Sequence, residues 1–251
     1  MPPHHIPLPP DITRKPLQVS ATEIEPGLFL GDWASSLDIP TLMHHGITAI
    51  VSLSHVRAEA WSRPTHRKLV PEQNHLYIPC DDSPTEDILC HLGQICDFID
   101  AHLHPAIDPS KPMSRSELDR IIAAEEAAEA TETADGSHNA ALSEDVFAAY
   151  RPGNVLVHCA AGVSRSPTAV IAYLMRKHRR KLKAVLRDVT HKRRVVDPNR
   201  NFLNQLQIWE DTGYNVWADK EHKVPKLSYQ DFLERRKEML KTVKEGSGLF
   251  L

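Results

Sequence analysis

Short apolar runs rich in β-branched residues alternate along the chain with longer stretches in which apolar residues recur every three or four positions. The runs ITAIVSLS (47–54), HLYIPC (75–80) and NVLVHC (154–159) predict buried strands. The stretch TEIEPGLFLGD (22–32) predicts two further strands joined by a Pro-Gly turn. Because strands interleave with helices, we predict the α/β class, with a mainly parallel central sheet flanked by helices.

The amphipathic stretches predict the helices. One of them covers residues 85–103 and is predicted to begin near Thr85, after a cluster of polar residues that can cap it. Residues 55–74 show no regular period and are predicted to form a loop. The other predicted helices cover residues 37–46, 166–178, 182–194, 199–213 and 227–246.

Changes in composition divide the chain. Residues 1–20 are rich in proline and are predicted to form a flexible arm, followed by one domain over residues 21–214. Residues 105–152 are rich in alanine and in acidic residues, and they are predicted to be an insertion within that domain. Residues 215–251 are predicted to form a helical C-terminal extension.

The composition of the chain limits the classes of protein to which it can belong. The 251 residues, of which 41% are hydrophobic and 25% charged, are typical of a globular protein. No apolar run reaches the length of a transmembrane helix, and the first residues lack the apolar segment of a secretory signal. We therefore expect no membrane partner and a location in the cytoplasm, the nucleus or both. The four cysteines form no C-x-x-C pair, so we expect no metal site.

Positive charge is concentrated in one run, although the formal net charge of the chain is −3. Residues 176–194 hold ten Lys and Arg residues and one Asp. A solvated helix face, a nuclear import signal and a contact for acidic substrates all fit this run, and the sequence leaves the three open. We expect no nucleic-acid partner.

The candidate chemistry lies in VLVHCAAGVSRSPTAVIAYLM (155–175). A predicted strand enters a loop of small residues, and a predicted helix follows. Such a loop can aim successive backbone N–H groups at an anion, and the helix directs its positive end at the same point. An arginine in the loop adds a planar fork that matches two phosphate oxygens. The predicted phosphate-binding residues are Ala160, Ala161, Gly162, Val163, Ser164 and Arg165.

Cys159 lies at the base of this loop. An ordinary thiol, with a pKa of about 8.5, is mostly protonated at neutral pH. Backbone amides, a helix N-terminus and a guanidinium group all favour the thiolate, so we predict Cys159 to be a nucleophile. His158 is predicted to fix the loop through hydrogen bonds, and Ser166 to donate its hydroxyl to the sulfur. Asn199, later in the chain, is predicted to close a loop through backbone hydrogen bonds.

The pattern H-C-x-x-G-x-S-R-S resembles the signature loop of the cysteine-dependent protein tyrosine phosphatases, and its Ala-Ala and Val fillers resemble the dual-specificity branch. The resemblance extends over residues 22–213 and includes the stretches EPGLFLGDWASSLD, GITAIVSLS and DPNRNFLNQLQIWE. It implies a phosphotyrosine protein phosphatase-like fold and no metal or organic cofactor. The acidic insertion and the C-terminal helix have no counterpart in the minimal core of that family.

The resemblance also implies catalytic roles. Cys159 would attack phosphorus and form a cysteinyl-phosphate, and Arg165 would hold the phosphoryl group. An aspartic acid would protonate the leaving group and then activate water. The family's acid aligns best with Asp82 in CDDSPTED (80–87), and Asp81 is the alternative.

The function that we predict is hydrolysis of phosphate monoesters on phosphoproteins, at phosphotyrosine and at phosphoserine or phosphothreonine. The expected partner is a phosphoprotein substrate, and a protein kinase is one candidate. Residues 55–74 lack an obvious aromatic recognition motif, which favours a shallow site, with Trp61 and His66 as candidate rim contacts. Two alternatives stay open: a catalytically idle phosphate-binding scaffold, and a phosphatase of a non-protein phosphate such as an inositol phosphate or an RNA 5′ end.

Overall fold

The computed structural model describes residues 19–103, 153–219, 221 and 223–247. The predicted acidic insertion and all but the last two residues of the predicted N-terminal arm lie outside the described residues. Among the helices of the described part of the chain, none combines the length and the apolar character needed to cross a membrane.

A five-stranded sheet in the order β1-β2-β5-β3-β4 forms the centre of the fold. β2, β5, β3 and β4 run parallel, and β1 pairs with β2 in the antiparallel sense. β3 is buried along its whole length, as expected for a central parallel strand. The predicted α/β class with a mainly parallel sheet is confirmed. The strands are β1 (Ala21–Glu25), β2 (Leu28–Gly31), β3 (Ile47–Leu53), β4 (His75–Ile78) and β5 (Asn154–His158).

Helices cover both faces of the sheet. Side-chain caps from Asp32, Asp38 and Asn199 start three of them by accepting backbone N–H groups of the first turn. In the described residues the helices are α1 (Trp33–Leu37), α2 (Ile39–His44), α3 (Pro64–Leu69), α4 (Leu92–His102), α5 (Arg165–His178), α6 (Leu182–Lys192), α7 (Arg200–Asp211) and α8 (Leu227–Ser247).

The apolar side chains form one cluster on each face of the sheet. The larger cluster joins the sheet to α4, α5 and α7, and the smaller one packs α2 and α3 on the opposite face. Because side chains alternate along a strand, β5 contributes to both: Val155 and Val157 lie in the larger cluster and Leu156 lies in the smaller. The strand that leads to Cys159 is therefore fixed from two sides.

α5 runs through the larger cluster. Every residue from Ser166 to Met175 is buried, and the indole N–H of Trp209 donates to the Ala172 carbonyl at 3.1 Å. A helix enclosed in this way has little freedom to shift. Its N-terminus is consequently held at the end of β5, where the candidate chemistry lies.

The predicted start of the helix near Thr85 is wrong, because α4 begins at Leu92 after a 3₁₀ turn over Leu89–His91. The side-chain amides of Asn201 and Gln205 on α7 both donate to the Glu86 carbonyl at 2.8 Å, so this carbonyl is not free to accept a helical N–H. The segment before the 3₁₀ turn therefore folds as an irregular loop.

The prediction of an irregular segment over residues 55–74 is also wrong in part. This segment contains α3 and two 3₁₀ turns, Glu59–Ser62 and Glu72–Asn74. Trp61 and His66 are only 3% and 4% exposed, because their rings pack edge to face in the core. They are core residues and not rim contacts.

Leu206→Ala tests the packing of α7. Leu206 is fully buried, so the smaller side chain leaves a cavity and is expected to lower the free energy of unfolding by about 2–5 kcal/mol. Urea denaturation measures the change. Asn204→Ala on the exposed face of the same helix is the control, with an expected change within about 0.5 kcal/mol. Equal losses for both variants would contradict the burial of this helix face.

Candidate active site

Three loops meet at the side of the sheet formed by the carboxyl ends of the parallel strands. The first leaves β5 and comprises residues 159–165, which we call the cradle. The second leaves β4 and comprises residues 81–88, the β4–α4 loop. The third is the junction of β2 and α1 at Asp32. Open parallel sheets bind ligands at this side, because side chains from different strands converge there.

The cradle directs most of its backbone carbonyl groups away from its centre. Donors from three neighbouring segments and from α5 hold them there, and this arrangement turns backbone N–H groups inward, toward the sulfur. The carbonyls and their donors are Ala160 with Trp33 N–H (3.1 Å), Gly162 with Arg193 Nε (3.1 Å), Val163 with Asp197 N–H (2.8 Å) and Ser164 with Thr168 N–H (3.0 Å).

Gly162 is the position in the cradle where only glycine fits. Its φ of +66° lies in the left-handed region, which side chains disfavour. A Cβ atom there would lie 2.7 Å from the Gly31 carbonyl oxygen and would also meet the Arg193 guanidinium. The absence of a side chain lets the cradle close against the β2–α1 junction.

Cys159 is 2% exposed, and donors surround its sulfur. Ser166 Oγ donates to Sγ at 3.2 Å. Burial would raise the pKa of the Cys159 thiol, but the hydroxyl and backbone N–H of Ser166, the charge of Arg165 and the N–H of Gly162 outweigh it and hold the pKa below its ordinary value. The geometry thus agrees with a thiolate stabilised by Ser166.

Arg165 reaches across the cradle mouth toward the β4–α4 loop. Its Nη1 donates to the Cys80 carbonyl at 3.1 Å. Its Nε is buried and has no hydrogen-bond partner within the described residues, since Asp82 Oδ2 lies 3.9 Å away. A buried guanidinium N–H without an acceptor is costly, so Nε is suited to donate a hydrogen bond to an anionic ligand.

Asp82 is bound directly to the cradle. Its Oδ1 accepts the Ser164 hydroxyl at 2.8 Å and the Asn199 side-chain amide at 2.7 Å. The side chain is 37% exposed, and its second oxygen, Oδ2, lies 3.9 Å from Arg165 Nε. Asn199 also donates its backbone N–H to Ser164 Oγ at 3.1 Å, which ties the start of α7 to the same point.

Asp81 points elsewhere. Its side chain is 54% exposed and lies 3.6 Å from His55 Nδ1. Between the two candidates for the general acid, the geometry favours Asp82, because Asp82 contacts Ser164 of the cradle and Asp81 does not reach it.

His158, below the cradle, belongs to a buried chain of hydrogen bonds. Its Nε2 lies 2.6 Å from Ser52 Oγ, and His75 Nε2 lies 2.7 Å from the same hydroxyl. Burial lowers the pKa of His158 to about 4 and that of His75 to about 3, so both rings are neutral at pH 7. Each ring therefore carries one proton, and its neighbours decide which nitrogen holds it.

Arg67 determines which group donates in each of these hydrogen bonds. Arg67 Nη1 lies 3.4 Å from His75 Nδ1, and a guanidinium can only donate, so the proton of His75 lies on Nε2. His75 then donates to Ser52, and Ser52 donates to His158 Nε2. The remaining proton of His158, on Nδ1, is donated to the Cys159 carbonyl at 3.3 Å. This hydrogen bond joins His158 to the first peptide of the cradle.

The four cysteines are all free thiols. Burial raises the pKa of Cys80, Cys90 and Cys96 to about 12 in each case, so these three are protonated at neutral pH. Among the described residues, no group of three or more His, Cys, Asp and Glu side chains is arranged to hold a metal ion. Cys159 is therefore the cysteine whose surroundings favour ionisation.

Sequence reasoning missed Arg193 and the pair Ser52 and His75. Arg193 is 5% exposed, and besides Gly162 it binds Ser20 and Thr22 of the first strand region. It lies in the basic run that a solvated helix face also explains, and only its long-range partners distinguish it. Ser52 is one of two polar residues, with Thr48, in the otherwise apolar strand β3, and a buried polar residue in such a strand is a weak signal.

Comparison with known proteins shows similarity to dual specificity phosphatases. The family model described as "Dual specificity phosphatase, catalytic domain" matches residues 144–212. The chain is 31% identical over 198 residues to the dual specificity protein phosphatase MPK-4 of Drosophila melanogaster. That match covers 79% of this chain but 38% of the relative, so the chain spans well under half the length of that protein.

Solved structures show the same relationship. The Yvh1 phosphatase domain from Chaetomium thermophilum is 27% identical, with a TM-score of 0.53, and the match covers 78% of this chain and 96% of that one. The human tyrosine phosphatase-like serine/threonine/tyrosine-interacting protein is also 27% identical, with a TM-score of 0.51 and coverage of 76% and 96%.

Ser166→Ala tests the origin of the lowered thiol pKa. The change removes the hydroxyl that donates to Sγ, so the pKa of Cys159 rises and the midpoint of alkylation by iodoacetamide moves to higher pH. The other three thiols stay protonated and serve as internal references. Ser36→Ala, which alters another buried serine, is the control and leaves the midpoint in place. If the midpoint of alkylation is the same in Ser166→Ala and in the parent protein, the Ser166 hydroxyl does not lower the pKa of Cys159.

The likeness in sequence and the likeness in structure fall on the same elements. The family model spans the cradle, α5, α6 and α7, and the structural matches cover about three quarters of the chain. The resemblance noted in the signature loop is therefore confirmed at the level of the family. The chain belongs to the dual-specificity phosphatase family of the cysteine-based protein tyrosine phosphatases.

Proposed function

We propose that the protein hydrolyses phosphate monoesters on phosphoproteins through a cysteinyl-phosphate intermediate, and that it accepts phosphotyrosine as well as phosphoserine and phosphothreonine. One observation carries the proposal: the cradle joins a thiol of lowered pKa to a buried arginine N–H that lacks an acceptor. A phosphoryl group is tetrahedral and dianionic, and it supplies the acceptors that Arg165 Nε and the inward N–H groups require.

The first step is attack of the Cys159 thiolate on phosphorus. The S–P bond forms as the P–O bond to the leaving group breaks, and the electron pair of that bond goes to the leaving oxygen. Arg165 and the cradle amides stabilise the charge on the equatorial oxygens. Asp82 donates its proton to the leaving oxygen, which then departs as an alcohol or a phenol.

The second step regenerates the enzyme. Water attacks the cysteinyl-phosphate, Asp82 accepts its proton, and the S–P bond breaks to release phosphate. The departing sulfur is again a thiolate, and the Ser166 hydroxyl at 3.2 Å stabilises it as it leaves. The hydrogen bonds from Ser164 and Asn199 to Oδ1 of Asp82 leave Oδ2 to carry the proton in both steps.

The proposal of a protein substrate rests on the names of the relatives and on the cradle residues. The Drosophila relative is named a dual specificity protein phosphatase. The side chains of Ala160, Ala161 and Val163 are neutral, which favours a phosphoprotein over the more highly charged inositol phosphates and RNA 5′ ends. A phosphorylated protein kinase remains one candidate substrate.

A reducing compartment suits this chemistry. The nucleophile must be a free thiolate, and glutathione and thioredoxin keep thiols reduced in the cytoplasm and nucleus. We therefore propose a cytoplasmic or nuclear location.

Turnover of p-nitrophenyl phosphate tests the catalytic roles. Cys159→Ser is expected to abolish turnover, because the hydroxyl is not ionised in the cradle. Asp82→Asn is expected to lower kcat/KM by about 10²–10⁴, the usual contribution of a positioned acid. Asp81→Asn is the matched control and is expected to retain most of the activity, because Asp81 points to His55. A larger loss in Asp81→Asn than in Asp82→Asn would reverse the assignment of the acid.

A second candidate function is that of a phosphate-binding scaffold without catalysis. One human relative is named a "phosphatase-like" interacting protein, which motivates this alternative. The presence of Cys159, Arg165 and Asp82 in one site argues against it. Equal inactivity of the parent protein and Cys159→Ser, together with measurable phosphate binding, would favour the scaffold. Phosphate release from phosphotyrosine peptides alone would contradict dual specificity.

A further inference from the structure

The β4–α4 loop, residues 81–88, carries the proposed general acid but has no regular secondary structure of its own. Its position must come from contacts with other elements, since an irregular loop without them would be mobile. Two helices far along the chain supply these contacts, one on each side of the loop.

α7 holds the inner side. The side-chain amide of Asn201 donates to the carbonyls of Ser83 at 3.2 Å and Glu86 at 2.8 Å. Gln205, which is fully buried, donates to the same Glu86 carbonyl at 2.8 Å and accepts the N–H of Leu89 at 2.9 Å. These bonds fix the middle and the end of the loop.

α8 holds the outer side. The hydroxyl of Tyr229 donates to Asp87 Oδ2 at 2.8 Å, and Arg236 Nε donates to the Thr85 carbonyl at 2.6 Å. Tyr229 and Arg236 are seven residues apart and so lie on one face of the helix. Phe232, between them, is 5% exposed and belongs to the main core cluster.

The contact between α8 and the β4–α4 loop is buried and hydrogen-bonded. Tyr229 is 2% exposed, and its ring packs edge to face on Trp217. Asp87 is 8% exposed, and the Tyr229 hydroxyl satisfies one of its oxygens while the Cys90 N–H approaches the other at 3.3 Å. A buried carboxylate that loses a partner is costly, so the anchor at Tyr229 keeps α8 in register with the loop. Arg236 then acts on Thr85, three residues from Asp82.

We propose that α8 is a brace for the β4–α4 loop, and that Arg236 and Tyr229 are positioning residues that keep Asp82 over the cradle. The C-terminal extension is thereby part of the catalytic apparatus and not an appendage to it. Neither residue touches the cradle or a substrate, so each acts through the loop. This inference rests on the proposed function as far as Asp82 is the general acid.

The dependence of rate on the leaving group tests the brace. Phenyl phosphate has a poor leaving group that needs a proton, and 2,4-dinitrophenyl phosphate has a good one that does not. Arg236→Ala and Tyr229→Phe in the full chain are expected to raise the ratio of kcat/KM for the dinitrophenyl ester to that for the phenyl ester about tenfold, a part of what a positioned acid contributes. A merely structural loss would lower both rates alike.

Two controls sharpen this test. Arg235→Ala removes the same charge from the neighbouring, exposed position of α8 and is expected to leave the ratio in place. In an Asp82→Asn background, Arg236→Ala is expected to have no further effect on the ratio, because no acid remains to be positioned. An unchanged ratio in Arg236→Ala, or the same increase with and without Asp82, would overturn the proposal.

Amide hydrogen exchange gives a readout that does not depend on activity. Arg236→Ala is expected to speed exchange in the segment 81–89 and not in β3 or α5, whereas Arg235→Ala does not change it. If the parent protein hydrolyses neither ester, the proposed function fails, and exchange alone decides the brace: faster exchange confined to this loop supports it, and unchanged exchange overturns it.

Discussion

The sulfur of Cys159 is almost wholly removed from water, and a negative charge at this point is stable only while protein groups replace the lost hydration. The Ser166 hydroxyl, two backbone N–H groups and the charge of Arg165 provide that replacement. They do so only if the cradle keeps its carbonyl groups turned outward. The rest of the described fold is organised around this requirement.

Each outward carbonyl is held by a different part of the protein. The β2–α1 junction supplies Trp33, the end of α6 supplies Arg193, and the segment before α7 supplies Asp197. The buried helix α5 closes the cradle from below. Because the donors come from elements that also build the two core clusters, packing in the core and ionisation of the thiol are coupled. Burial alone opposes formation of a thiolate. Here the same packing places donors around the sulfur, so a buried thiolate is stable.

The features that could be predicted are those encoded within short stretches. The strands have unbroken apolar runs, and the cradle has its cysteine, glycine and arginine within seven residues, so local pattern suffices for both. The choice of Asp82 as the general acid came from the family resemblance and stays a prediction. What could not be predicted depends on residues far apart in the chain. α4 starts late, since side chains of α7 bind the carbonyls that precede it.

Arg193 and Arg236 illustrate the same limit. Both lie in stretches rich in charged residues, where most side chains are exposed, and neither differs from its neighbours in type. Arg193 is buried because Gly162 and Ser20 lie beside it, and Arg236 binds Thr85 across 151 positions of sequence. Amino-acid type alone does not distinguish a solvated arginine from one that holds a loop.

Leu103, after α4, and Asn154, at the start of β5, both lie beside Gly27. A Cβ atom on this glycine would contact Leu103 at 3.2 Å and Asn154 at 2.9 Å, so the end of α4 and the start of β5 lie close together in space. The start of β5 lies about 16 Å of strand away from Cys159. Closing a loop between adjacent ends costs little more as the loop lengthens. A change in the length of the chain between Leu103 and Asn154 is therefore expected to have little effect on the geometry at Cys159.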